Sequence, residues 1–172
     1  MLPRQRRIDA SALPGQDERF AMADFGYRLL VEAGYVPIGF DHFALPGDPL
    51  PGRRLLVVDN ELSILHSMAA LLVQWGCEVV TAVDLSEALQ RLQGRAPEVI
   101  LADFHLDHGV LGCQVIQQLR DEFSRPIPAL IISADRSDAC RRELQALGAP
   151  LLNKPVKPGK LRAVLSQLLM ET

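Results

Sequence analysis

Three short runs, Leu55–Val58, Val99–Ala102 and Ala129–Ile132, are apolar at every position, and each is followed at once by a polar residue. A strand with one face in water alternates apolar and polar side chains, so a strand with no polar position must be covered on both faces. Helical patterns separate these runs. Leu62, Leu65, Met68, Ala69 and Leu72 recur at helical spacing and stop at Gly76. Asp84, with Glu87 three residues on, predicts a capped helix that runs to about Gln93 and is closed by Gly94. A third helix is predicted over Val110–Glu122, and a fourth opens at Ser137 and Asp138 and ends at Gly148. A fifth spans Pro158–Met170, with the proline in the first turn, where its missing N–H costs nothing. Cys77–Ala82 and Ala149–Leu152 supply two more strands. Strand and helix thus alternate over residues 53–172. The fold class that follows is α/β, a five-stranded, doubly wound parallel sheet of the flavodoxin type.

Residues 1–52 follow another pattern. Glu18–Glu32 predicts a helix with Phe20, Ala23, Tyr27, Leu30 and Val31 on its apolar face, and Gly34–Ile38 predicts a short strand. Leu45–Arg53 contains three prolines and two glycines and is expected to be a linker. One helix and one strand bury too little surface to stand alone. This N-terminal extension is therefore not an independent domain; it packs on the sheet domain, pairs with another chain, or stays mobile.

Charge narrows the partners. The net charge is −3, and residues 1–54, with seven Arg against seven Asp and Glu, contribute nothing to it. Without a basic stripe, neither nucleic acid nor an anionic membrane surface is expected as a partner. No apolar run approaches the roughly 20 residues that span a bilayer. The basic start, Met1–Arg7, lacks the apolar stretch of a secretory signal. Cys77, Cys113 and Cys140 are odd in number and widely spaced, which suits reduced core residues and a cytoplasmic location.

Ligands of open parallel sheets bind at the carboxyl ends of the strands. Here that edge collects Asp59 and Asn60 after the first strand, Asp103 after the third, Ser133 after the fourth and Lys154 after the fifth. Two carboxylates, an amide, a hydroxyl and an ammonium form a set suited to phosphoryl transfer. A hard divalent cation relieves the repulsion between carboxylates, and one carboxylate oxygen attacks phosphorus. The cation and the lysine then neutralise the phosphoryl oxygens. Asp103, on the central strand, is the expected nucleophile.

These residues carry a resemblance. Leu55–Glu61, Leu101–Leu106, Ile131–Ala134 and Asn153–Pro155 resemble the signature segments of response-regulator receiver domains, in the family's order. The spacings, 44, 30 and 21 residues between positions 59, 103, 133 and 154, also fit that family. In detail the chain is most similar to receivers at the C-terminus of hybrid histidine kinases. The resemblance implies a phosphoacceptor at Asp103 and a Mg²⁺ (or Mn²⁺) site formed by Asp59, Asn60, Asp103 and the His105 backbone carbonyl. It also implies phosphoryl contacts from Ser133, Ala134 and Lys154, and a Lys154–Pro155 bond of the cis form common in the family. A histidine kinase or histidine phosphotransfer protein is the implied donor, with an unidentified protein downstream and homodimerisation open; no substrate turnover is implied. Two departures stand out. Asn60 replaces a second acid, from which weaker Mg²⁺ binding is expected, and Leu151 occupies the position of a switch aromatic. Asp107 is expected to be a solvated loop acid, and His105 and His108 loop imidazoles facing water. With no output domain after Thr172, signalling by protein contact is expected.

A second resemblance lies upstream. Ala33–Leu50, with its Asp41-His42-Phe43-Ala44 core, is similar to a stretch of oxygen-independent coproporphyrinogen III oxidase, over about residues 16–50. That family binds an iron–sulfur cluster through CxxxCxxC, and no cysteines here have that spacing. The segment is expected to be a remnant without oxidase activity. The alternative to phosphorylation is a receiver fold kept purely as an adaptor.

Overall fold

A computed structural model describes residues 13–39, 42–135 and 137–171. The basic start at Met1–Arg7, Asp41 and the side chain of Cys140 lie outside the described residues. The elements are α1 (Gln16–Glu32), β1 (Val36–Gly39), β2 (His42–Ala44), β3 (Arg54–Val58), α2 (Leu62–Gln74), β4 (Glu78–Ala82) and α3 (Leu85–Leu92). They continue with β5 (Val99–Asp103), a 3₁₀ turn at Asp107–Gly109, α4 (Gly112–Phe123), β6 (Ala129–Ser133), α5 (Asp138–Leu147), β7 (Leu151–Asn153) and α6 (Pro158–Met170).

Five strands form one sheet in the order β4-β3-β5-β6-β7, with every pairing parallel. The all-apolar runs divide by parity. Leu56, Val58, Ile100, Ala102, Ala129 and Ile131 pack with Ala88, Leu92, Val115, Ile116, Leu119 and Leu144, from α3, α4 and α5. Leu55, Val57, Val99, Leu101, Leu130 and Ile132 pack on the opposite face with Leu65, Met68, Leu72, Leu161 and Leu165, from α2 and α6. This two-sided burial is why no polar residue interrupts the strands. From β3 the chain steps to β4 on one side and then crosses to β5 on the other. The carboxyl ends of β3 and β5 therefore border the crevice where such sheets bind ligands.

One helix boundary and one expected core position depart from the periodicity. Val110 and Leu111 are extended, and Leu111 bridges His105, so α4 begins at Gly112. Leu62 opens α2 but is 62% exposed, and the buried face of the helix begins at Leu65. The Asp84 cap forms as expected. Its carboxylate accepts the Glu87 N–H at 2.8 Å, while the Glu87 carboxylate accepts the Val83 N–H at 2.7 Å.

The extension is only partly integrated. β1 and β2 make an antiparallel hairpin, whose second strand the sequence did not predict. No residue of α1 is buried, and Phe20 and Phe25 are 66% and 67% exposed. Its expected apolar face thus finds little to cover it beyond an edge-on contact of Tyr27 with Phe43, at 5.4 Å between ring centres. The proline-rich segment, by contrast, is docked. Leu50 is fully buried among Leu55, Leu72 and Cys77. The Gly52 N–H donates to the Gly76 carbonyl at 2.8 Å, and Asp48 pairs with Arg162, whose guanidinium lies 5.2 Å from the centre of the half-buried Trp75 ring.

Candidate functional site

Asp59 follows β3 with its backbone still tied to the sheet, its N–H donating to the Ala82 carbonyl at 3.2 Å. Its side chain is buried and accepts the Glu61 N–H at 2.9 Å. Asp103 ends β5, and its carboxylate accepts the His105 N–H at 3.1 Å. Lys154 follows β7 and reaches across the strand ends to both acids, with Nζ 2.7 Å from Asp103 Oδ1 and 3.3 Å from Asp59 Oδ2. The Lys154–Pro155 peptide is cis.

The electrostatics follow from this arrangement. Burial holds the Asp59 carboxyl above the usual carboxylate range, and the Asp103 charge adds to it; the Glu61 N–H and Lys154 oppose them without cancelling them. Burial alone would lower Lys154. The hydrogen bond and charge of Asp103, and then of Asp59, outweigh it and raise the ammonium above its ordinary value.

Ser133 ends β6 and is buried. Its hydroxyl accepts the Asp135 N–H at 3.0 Å, and its carbonyl accepts the Lys154 N–H at 2.9 Å. Ala134 is exposed beside it. Leu151 begins β7 in register with Ile131 and packs against the α3–α5 side of the core. Asp59 and Asp103 thus both contact Lys154, Ser133 is tied to Lys154 through the backbone, and the Asn60 amide nitrogen has a different partner.

That partner is Asp107. Asn60 Nδ2 donates to Asp107 Oδ1 at 2.6 Å, so the expected solvated loop acid is held at the rim of the site. His105 and His108 are exposed, as expected, but the His105 ring also lies 3.2 Å from the Asp135 carboxylate. The Ser137 N–H, and then His105, hold that carboxyl below its usual range. Gly112 was also missed: its N–H donates to the Phe104 carbonyl at 2.9 Å, and its α-carbon lies against the backbone of Asp103. No periodicity marks Asp107, Asp135 or Gly112, because each matters through a loop partner.

The donors around the crevice are all oxygen, which suits a hard cation. Among the described residues no three His, Cys, Asp or Glu side chains come together closely enough to hold a metal ion. Two carboxylates, one amide oxygen and one backbone carbonyl would leave positions for water, which Mg²⁺ keeps readily. The Lys154 ammonium between Asp59 and Asp103 marks where positive charge is already stabilised. The residues therefore fit Mg²⁺. No described helix is long and apolar enough to cross a membrane.

Residues 55–166 match the family model of the response regulator receiver domain. The chain is similar to the probable transcriptional regulator ycf27 of Cyanophora paradoxa, at 36% identity over 121 residues, covering 70% of this chain and 49% of that protein. Its fold resembles that of chemotaxis protein CheY4 of Vibrio cholerae, with a TM-score of 0.61 and 28% identity, over 68% of this chain and 98% of that one. It is also similar to anaerobic coproporphyrinogen III oxidase 1 of Cereibacter sphaeroides, at 46% identity over 184 residues, covering 86% of this chain and 41% of that protein. That last match is wider than the stretch around residues 16–50 read from the sequence. The chain spans less than half the length of either curated relative.

Proposed function

Because the chain belongs to the response regulator receiver family, we propose that Asp103 takes a phosphoryl group from the phosphohistidine of a kinase or histidine phosphotransfer protein and that the chain then signals by protein contact. Receivers are signalling domains rather than enzymes with turnover. The observation that carries the proposal is the Lys154 ammonium spanning the carboxylates of Asp103 and Asp59, at 2.7 and 3.3 Å.

An Asp103 carboxylate oxygen attacks phosphorus, and the P–O bond forms as the P–N bond of the donor breaks. The imidazole departs neutral when its other nitrogen carries a proton. Lys154, already paired with Asp103, follows the negative charge onto the phosphoryl oxygens. The Ser133 hydroxyl, on the neighbouring strand end, donates its proton to one of them while its oxygen accepts the Asp135 N–H. Asp59, Asn60, Asp103 and the His105 carbonyl would hold Mg²⁺, which supplies charge neutralisation at the transferring group.

Incubation with acetyl phosphate and Mg²⁺ tests the proposal. The full chain is expected to gain one hydroxylamine-labile phosphoryl group, absent in Asp103→Asn. A chain that no phosphodonor labels is instead a phosphorylation-independent adaptor with a receiver fold.

A further inference from the structure

The Asn60–Asp107 contact joins two loops 47 residues apart, at 2.6 Å. One follows β3 beside Asp59, and the other is the 3₁₀ turn after β5, where His108 and Gly109 both take left-handed backbone angles, with φ of 59° and 75°. That turn carries the Asp107 carboxylate back toward the sheet edge. A carboxylate at neutral pH accepts hydrogen bonds and does not donate them, so the amide atom facing Asp107 is the NH₂ group. Among the described residues no hydrogen bond engages the Asn60 carbonyl oxygen, which lies on the side of the amide away from Asp107.

We infer that Asp107 is a positioning residue of the cation site, which turns the Asn60 amide oxygen toward the cation and restores, one residue outward, the negative charge that an acid at position 60 would carry. The inference rests on the Mg²⁺ reading above. Asn60 and Asp107 act as one unit: an amide with its nitrogen bound to a carboxylate has a more negative oxygen, and the carboxylate's own charge lies just behind it. An acid at position 60 with Asp107 in place would set two carboxylates at contact distance, which like-charge repulsion disfavours. The asparagine at 60 and the acid at 107 therefore suit each other.

Mg²⁺ binding to the full chain, followed by isothermal titration calorimetry, tests this. Asp107→Ala is expected to weaken Mg²⁺ binding about tenfold, the lower range for loss of a group that orients a metal ligand. Asn60→Asp with Asp107→Ala is expected to recover wild-type affinity within about threefold. Both effects should persist in about 0.5 M KCl, where a diffuse surface charge would be screened. Equal affinity of wild type and Asp107→Ala, a loss that vanishes in salt, or a double variant as weak as Asp107→Ala each overturns the inference. A wild-type chain that binds no Mg²⁺ overturns the underlying reading of the site instead. Asp107 is exposed, so neither variant disturbs the core.

Discussion

A β-carbon on Gly112 would sit 2.1 Å from the Asp103 carbonyl oxygen and 3.2 Å from the Ala102 side chain. The first distance lies far inside van der Waals contact, and its partner is sheet backbone that cannot rotate away. The glycine is needed for room, because α4 must start directly against the end of β5 to bring its buried face down on the sheet. Gly112→Ala is expected to destabilise the fold by about 2–3 kcal/mol, the range for forced overpacking. It should also slow phosphorylation, since the part that must shift carries Asp103. Urea unfolding checks the first effect, and a midpoint equal to wild type would show that the turn relaxes freely.

Leu50 docks the proline-rich segment on the core beneath the sheet. It is fully buried, in the same core as Leu55 and Leu72, and the Cys77 thiol donates to its carbonyl at 3.5 Å. Leu50→Ala is expected to cost about 2–4 kcal/mol. Arg162→Ala, which frees Asp48 and uncovers Trp75, should cost about 1 kcal/mol. Comparing urea midpoints of the two variants with a chain beginning at Arg53 checks whether the stabilising boundary lies near Ala44. A truncated chain as stable as the full one would put the boundary back at 53.

The sheet was legible because burial on both faces leaves a direct mark. Leu55–Val58, Val99–Ala102 and Ala129–Ile132 have no polar position, and each is followed by a residue of the crevice. The crevice was legible because parallel strands bring their carboxyl ends to one edge, so Asp59, Asp103, Ser133 and Lys154 followed from strand positions alone. What lay hidden depends on loop shape. Asn60 and Asp107 meet across two loops, one of them the turn with left-handed His108, and no spacing rule connects positions 60 and 107. The α1 helix formed as its pattern predicts, but its apolar face is left exposed. Phe20, Tyr27 and Val31 share a face, but periodicity shows which residues could be buried and not whether anything lies against them.

Asp59 should contribute less to the stability of the unloaded fold at neutral pH than in acid. Burial and the Asp103 charge hold its carboxyl above the unfolded value of 3.8 despite Lys154. A carboxyl whose folded pKa is raised stabilises the fold below its unfolded pKa and loses that contribution as pH rises through the folded value. Ionised Asp59 is thus a net liability at neutral pH without a cation. Asp59→Asn is expected to raise Tm at neutral pH in the absence of Mg²⁺, with the gap shrinking as pH falls toward 3.8. Mg²⁺ should reverse the order. It binds the folded state alone, so it raises the wild-type Tm with concentration and leaves the variant nearly unmoved. Scanning calorimetry with and without Mg²⁺ reads both effects. An Asp59→Asn chain that melts below wild type at neutral pH without Mg²⁺ would mean that the Lys154 attraction outweighs burial.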